Sequence, residues 1–267
     1  MNGTKESGPH SLAVLFDFEN LAMGFPAGRK GAFNVHRVLD RLLEKGKVVV
    51  KIAYADWSRF RKYETDLHEA GIELIEIPKR KMTGKNSADI RLVVDAMDLC
   101  YSKDHIDTFV IVSGDSDFSP LVNKLKENGK SVIGLGMRES TSKLLADNCD
   151  EFLYYEDVVS ERGDIKTDVR SDKIPDDKRE AYSLLIETIR ALQREGGGLL
   201  LASRIKDTMK RKRPAFSEGA YGFRSFSDLL EAAEDAGLLE LKLDEPSGTL
   251  VVSRLKSSGP RRRRKKT

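Results

Sequence analysis

The chain has 267 residues, 46 Lys plus Arg against 43 Asp plus Glu, and a net charge of +3, with 39% hydrophobic and 33% charged residues. That length suits one large domain or two small ones, and the apolar content is too high for a disordered chain. No window approaches the roughly 20 apolar residues of a membrane-spanning helix, so no membrane contact is expected. Met1 to His10 is polar and lacks a secretory h-region, and Cys100 and Cys149 stand apart from each other and from any CxxC pair. These features exclude a sequence-evident disulfide framework or zinc cluster and point to a reducing cytoplasm.

The near-neutral total conceals an uneven distribution. The balance is −3 up to Val158 and 0 from Val159 to Pro260, and the last seven residues carry six basic groups. A block of this kind follows phosphate backbones or anionic surfaces, and it also serves as a solvated tail or an address.

Residues 10–158 alternate strands with helices. Leu12 to Phe16 is a short apolar run, as expected of a strand buried on both faces. Asn34 is positioned to cap a helix with Val35, Val38, Leu39, Leu42 and Leu43 at helical spacing, ending near Gly46. Val48 to Tyr54 reads as a strand and Phe60 to Ala70 as a helix stopped by Gly71. Ile72 to Ile77 is a third strand. Ala88 to Tyr101 is helical, with Ile90, Val93, Val94 and Met97 on one stripe. Phe109 to Val112, Ser131 to Leu135 and Glu151 to Tyr155 are strands, separated by helices at Leu121–Glu127 and Thr141–Ala146. The fold class that follows is α/β, in three layers around a mostly parallel sheet.

A charged, proline-containing stretch at 159–177 reads as a linker. Beyond it, 178–254 is predicted as a small winged-helix domain. Its elements are a helix at Arg179–Arg194, a second short element at Leu199–Met209, a helix at Phe226–Ala236, and strands at Leu238–Leu243 and Thr249–Val252 around a Pro/Ser/Gly turn. Residues 255–267 form the basic tail.

The chemistry concentrates on acids at strand ends. Asp17 follows the first strand in FDFEN, Asp115 and Asp117 follow the fourth in VSGDSDF, and Asp89 opens a helix in NSADIRL. Ligands of open α/β sheets sit beyond the carboxyl ends of the strands. Carboxylates forced together repel unless a cation neutralises them, and hard oxygen donors suit Mg²⁺ or Mn²⁺. Any one of these acids also serves as a turn former or helix cap, and Asp117 in particular can cap the helix at Ser119–Pro120. Asp95 lies six residues past Asp89, about 240° around the helix, so it is at most a supporting group.

Phe16–Asn20, the KNSAD segment Lys85–Asp89 with its downstream Asp95, Ser113–Phe118 and Pro120–Gly136 together resemble the NYN domain of the PIN-like ribonuclease superfamily. The resemblance covers about Leu12 to Tyr155. It implies a metal-dependent endoribonuclease in which Asp17, Asp89, Asp115 and Asp117 hold the metal and act as the catalytic acids, while Asn20 and Ser113 orient ligands or the scissile phosphate. Ala215–Ser217, Tyr221–Phe226 and Leu229–Leu241 resemble the LOTUS, or OST-HTH, domain. That resemblance implies a winged-helix module for RNA or a protein partner.

Basic residues suit an RNA-binding rim: Arg29 and Lys30 after the first strand, Lys79, Arg80, Lys81 and Lys85 before the Asp89 helix, and Lys210, Arg211, Lys212 and Arg213 in the second half. Phe216, Tyr221 and Phe223 follow that last run as stacking candidates, although core packing suits Tyr221 and Phe226 better. The four histidines are scattered, which argues against a histidine-based ribonuclease. No GxGxxG follows the first strand, which disfavours a dinucleotide enzyme. The expected activity is Mg²⁺- or Mn²⁺-dependent RNA cleavage, the alternative being a weakly active or inactive RNA-binding scaffold. A metal–carboxylate pocket does not read a 2′-hydroxyl, so DNA stands beside RNA as a substrate. Small PIN-like domains often pair, so a homodimer is a further expectation.

Overall fold

The computed structural model describes residues 10–23, 33–77, 87–160, 174–195, 200–244 and 248–256. The chain divides into two compact units, Met1–Ser160 and Glu161–Thr267.

The first unit is built on a six-stranded sheet, all of it parallel. The strands are β1 (His10–Asp17), β2 (Gly46–Ala55), β3 (Glu73–Glu76), β4 (Thr108–Val112), β5 (Ser131–Gly136) and β6 (Glu151–Tyr154). Their spatial order is β3-β2-β1-β4-β5-β6. The helices are α1 (Phe18–Met23), α2 (Val35–Lys45), α3 (Arg61–Glu69), α4 (Ser87–Ser102), α5 (Ser119–Glu127), α6 (Lys143–Asn148) and α7 (Tyr155–Ser160).

The alternation of a strand assigns its side chains to two layers. Leu12, Val14 and Phe16 of β1 join a core with residues of α1, α2, α3 and α7. Ala13 and Leu15 point the other way, into a core with α4, α5 and α6. The central strands therefore have no polar face, which is why they read as continuous apolar runs. Asn34 caps α2 as expected, its side chain accepting from the Arg37 amide at 3.1 Å. Gly71 ends α3 at φ 67°, a left-handed conformation that favours glycine.

Helix α4 buries a different face from the one its bulkiest residues suggest. Ala88, Leu92, Ala96 and Cys100 are its buried residues, while Ile90 and Val94 are 63% and 56% exposed. Ala88 and Ala96 allow close approach to the sheet, Val93 and Met97 of the stripe pack part-buried against the same core, and Ile90 and Val94 are left outside.

The second unit contains α8 (Arg179–Arg194), β7 (Leu200–Leu201), α9 (Ala202–Lys212), α10 (Phe226–Asp235), β8 (Leu239–Asp244) and β9 (Thr249–Leu255). The strands form an antiparallel sheet in the order β7-β9-β8. Its core includes Ile174, 3% exposed, so ordered packing begins inside the stretch expected to be linker; at the other end, α7 runs to Ser160. Residues 161–173 and the basic tail lie outside the described residues. No described helix is long and apolar enough to cross a membrane.

Candidate active site

The strand order reverses between β1 and β4, and this switch point is where an open parallel sheet forms its ligand crevice. Asp17 is the last residue of β1, and Ser113 directly follows β4. Their side chains meet there: Ser113 Oγ donates to Asp17 Oδ2 at 2.9 Å. The Asn20 amide donates to Asp17 Oδ1 at 3.2 Å, and Asn20 Oδ1 in turn accepts from the Gly114 amide at 2.9 Å. The Asp115 amide donates to Ser113 Oγ at 3.1 Å, and Asp115 Oδ1 accepts from the Asp117 amide at 3.0 Å. Asp115, rather than Asp117, is therefore the residue that caps the following helical turn.

One continuous hydrogen-bond chain thus ties the first acid to the β4 turn. Gly114 is required by the same packing. A Cβ there would lie 2.8 Å from the Ser140 carbonyl oxygen and 2.9 Å from Thr141 Cα, both main-chain atoms. The Ser142 amide closes the contact by donating to the Gly114 carbonyl at 2.8 Å.

The electrostatics are those of crowded acids. Asp17 is 4% exposed, and burial raises its pKa to about 7. The Ser113 and Asn20 hydrogen bonds oppose that rise, while the charges of Asp89 and Asp115 add to it. Asp89, at the start of α4, is half-buried. Its pKa is raised by burial first, then by Asp115, Asp117 and Glu19. Asp17, Asp89, Asp115 and Asp117 therefore share one electrostatic neighbourhood.

Glu19 is the acid that sequence reasoning missed. It lies two residues past Asp17 in FDFEN, accepts from the Asp56 amide at 3.2 Å and pairs with Arg59 at 3.1 Å. Asp95 stands apart from the four acids. It accepts from the Tyr54 hydroxyl at 3.0 Å and pairs with Arg91 at 2.9 Å. Tyr54 is the β2 residue in register with Asp17, so Asp95 braces the neighbouring strand rather than the pocket.

Four carboxylates are the donor type that hard divalent cations take, and each Asp17 oxygen keeps a lone pair beyond its one hydrogen bond. Among the described residues, however, no group of three or more His, Cys, Asp or Glu side chains is arranged to hold an ion. The acids are neighbours but not a closed ligand cage. Asp89 and Asp117 also line a cleft of about 760 Å³ bounded by residues of α4, α5 and α6.

The basic candidates separate into two groups. Arg29, Lys30, Lys79, Arg80, Lys81 and Lys85 lie outside the described residues. Of the second run, Lys210 and Arg213 are exposed. Arg211 is half-buried and donates to Thr208 Oγ1 at 2.8 Å. Lys212 does not take the role expected of it: its side chain is 1% exposed and pairs with Glu187 at 3.3 Å. Lys210, Arg211 and Lys212 end α9 and Arg213 follows it, and at about 100° per residue the last helical member of the run turns inward. The aromatics that follow are largely internal. Phe216 and Phe223 are buried, and half-buried Tyr221 stacks on Phe216 with ring centroids 5.6 Å apart.

Ser113→Ala removes the hydroxyl between Asp17 and the Asp115 amide. It should cost about 1–3 kcal/mol, read as a lower urea midpoint with unchanged slope. An unchanged midpoint would show that the serine does not hold the two strand ends together.

An uncharacterized protein of Methanocaldococcus jannaschii, MJ0482, is 31% identical over 149 residues, covering 55% of this chain and 55% of that protein, so the chain spans about half of its relative's length. The crystal structure of a protein of unknown function from Vibrio parahaemolyticus, VPA0982, superposes with a TM-score of 0.51 at 24% identity, covering 58% of this chain and 98% of that one, and supports the fold alone. The NYN domain matches residues 11–156, more than half of the sequence, and ends before the second unit begins. The chain belongs to the NYN domain family, a PIN-like nuclease family, through its first unit.

Proposed function

We propose that the protein is a metal-dependent endoribonuclease whose first unit cuts RNA phosphodiesters and whose second unit binds RNA. The observation that carries this reading is the meeting of Asp17 with the Ser113–Asp117 turn at the sheet's switch point, with Asp89 in the same electrostatic field. Asp17, Asp89, Asp115 and Asp117 would hold Mg²⁺ or Mn²⁺. When bound, such a cation would polarise the scissile phosphate and lower the pKa of a water. Ser113 and Asn20 fix the Asp17 carboxylate in one orientation. Asp117 is the most exposed of the four acids and would accept a proton from water at its carboxylate.

The second unit supports a winged-helix reading by its order of helix, short strand, two helices and hairpin. Its resemblance to the LOTUS domain suggests RNA or a protein partner. Exposed Lys210 and Arg213 are the phosphate contacts we favour there. DNA as a second substrate, a homodimer and a cytoplasmic location belong to the same proposal.

The test is RNA cleavage in Mn²⁺ by wild type, Asp17→Asn and Asp115→Asn. Cleavage by wild type that falls at least 100-fold in both variants is the expected result. Equal residual activity in all three would refute it. A second reading, an RNA-binding protein with little turnover, is favoured by the absence of an ion-holding group among the described residues. It predicts RNA binding by wild type without any cleavage.

A further inference from the structure

Four of the five large apolar side chains that remain exposed among the described residues lie on α4 and α6: Ile90, Val94, Tyr101 and Leu144. The fold does not need them there, because α4 packs on the sheet through Ala88, Leu92, Ala96 and Cys100. Ile90, Val94 and Leu144 line the same cleft as Asp89 and Asp117. Its volume of about 760 Å³ falls in the range of ligand sites.

The rest of the lining tells which chemistry fits. Asn123 and Asn148 add two amides, and among the described residues no Lys or Arg lines the cleft. Ser119, at the start of α5, is 6% exposed, and its Oγ has no hydrogen-bond partner among the described residues. A buried hydroxyl left unpaired costs about 1–3 kcal/mol and is normally satisfied by water or a ligand. Aliphatic walls with amides complement a nucleobase, which is apolar on its face and polar at its edge.

We infer that this cleft receives the unstacked base of the nucleotide next to the bond that is cut, so the substrate is single-stranded there. A base within a duplex has both faces stacked and its pairing edge occupied, and cannot enter. The inference rests on the proposed nuclease reading for the position of the cut, but base binding in the cleft does not depend on turnover.

The test uses the full chain in EDTA, so that binding is read without cleavage, with a labelled single-stranded RNA decamer and the matching duplex. The expected result is tighter binding of the single strand. Leu144→Ala and Asn123→Ala, both at exposed positions, should each weaken it roughly tenfold while leaving duplex affinity and melting temperature unchanged. Cut sites mapped in Mn²⁺ should shift in base preference in the same variants. Single-strand affinity equal in wild type and both variants would overturn the inference. So would a loss of dimer mass in sedimentation with RNA affinity intact, which would give the patch to a second copy of the chain. Weakened single-strand binding with no cleavage by any protein would keep the cleft and remove the nuclease.

Discussion

Asp17→Asn should raise the stability of the cation-free protein at pH 8 while removing RNA cleavage. Asp17 is 4% exposed, and its pKa in the folded state is about 7, against about 4 for an unfolded aspartate. Between those values the folded state holds a proton that the unfolded state releases, so wild-type stability falls as pH rises through the window. Three units correspond to about 4 kcal/mol, the upper bound on what the charge costs above pH 7. Asparagine avoids that cost and keeps both hydrogen bonds: its carbonyl accepts from the Asn20 amide, and its amide donates to Ser113 Oγ. The gain is full above pH 7 and shrinks as pH falls toward 4. Mn²⁺ should then stabilise wild type more than the variant, since the variant loses one of the four carboxylates proposed to hold the cation. Thermal melts in EDTA at pH 5 and pH 8 check this. A variant less stable than wild type at pH 8 would show that Asp17 is held as a favourable ion.

Phe18→Ala should cause the largest loss of stability in the first unit, about 3–5 kcal/mol. Phe18 is fully buried one residue past Asp17, and its ring centroid lies 5.7 Å from Phe33, 5.2 Å from Trp57, 5.6 Å from Phe60 and 5.2 Å from Tyr63. Deleting the ring leaves a cavity among four aromatics and releases the helix that carries Glu19 and Asn20. Trp57 is the only tryptophan and sits in this cluster, so its fluorescence reports the first unit directly in a urea titration. Phe18→Leu should recover most of the loss. A cost below 1 kcal/mol for the alanine would mean that the aromatic cluster does not hold the end of β1.

The parallel sheet was legible because its central strands are buried on both faces and so read as unbroken apolar runs. The sequence also pointed to the meeting of Asp17 with the β4 turn, since strand ends in a doubly wound fold converge. What it did not carry was the direction of individual side chains. In α4 the bulky stripe attracts attention, but the buried face is Ala88, Leu92, Ala96 and Cys100, three of them small enough for close approach to the sheet. Lys212 reads as one of four like charges, and only the rotation of α9 reveals that it points inward to Glu187. Glu19 was hidden for a similar reason: it lies in one short helix, too brief to show periodicity, and its contacts are to Asp56 and Arg59 far along the chain. Asp95 was expected as a supporting group of the site, but it bonds Tyr54 on β2 instead, a partner that only the register of the sheet reveals.

The central claim is that acids from three separate stretches of chain make one cation site. Ser113 Oγ donates to the Asp17 carboxylate and accepts from the Asp115 amide, and burial together with like charge leaves Asp17 ready for a positive partner. A crystal soaked in Mn²⁺, with anomalous data collected at the manganese edge, tests this most directly. One peak bridging Asp17 and Asp115, and absent from a soaked Asp17→Asn crystal, is the result expected. No peak between them at saturating Mn²⁺ would contradict the account.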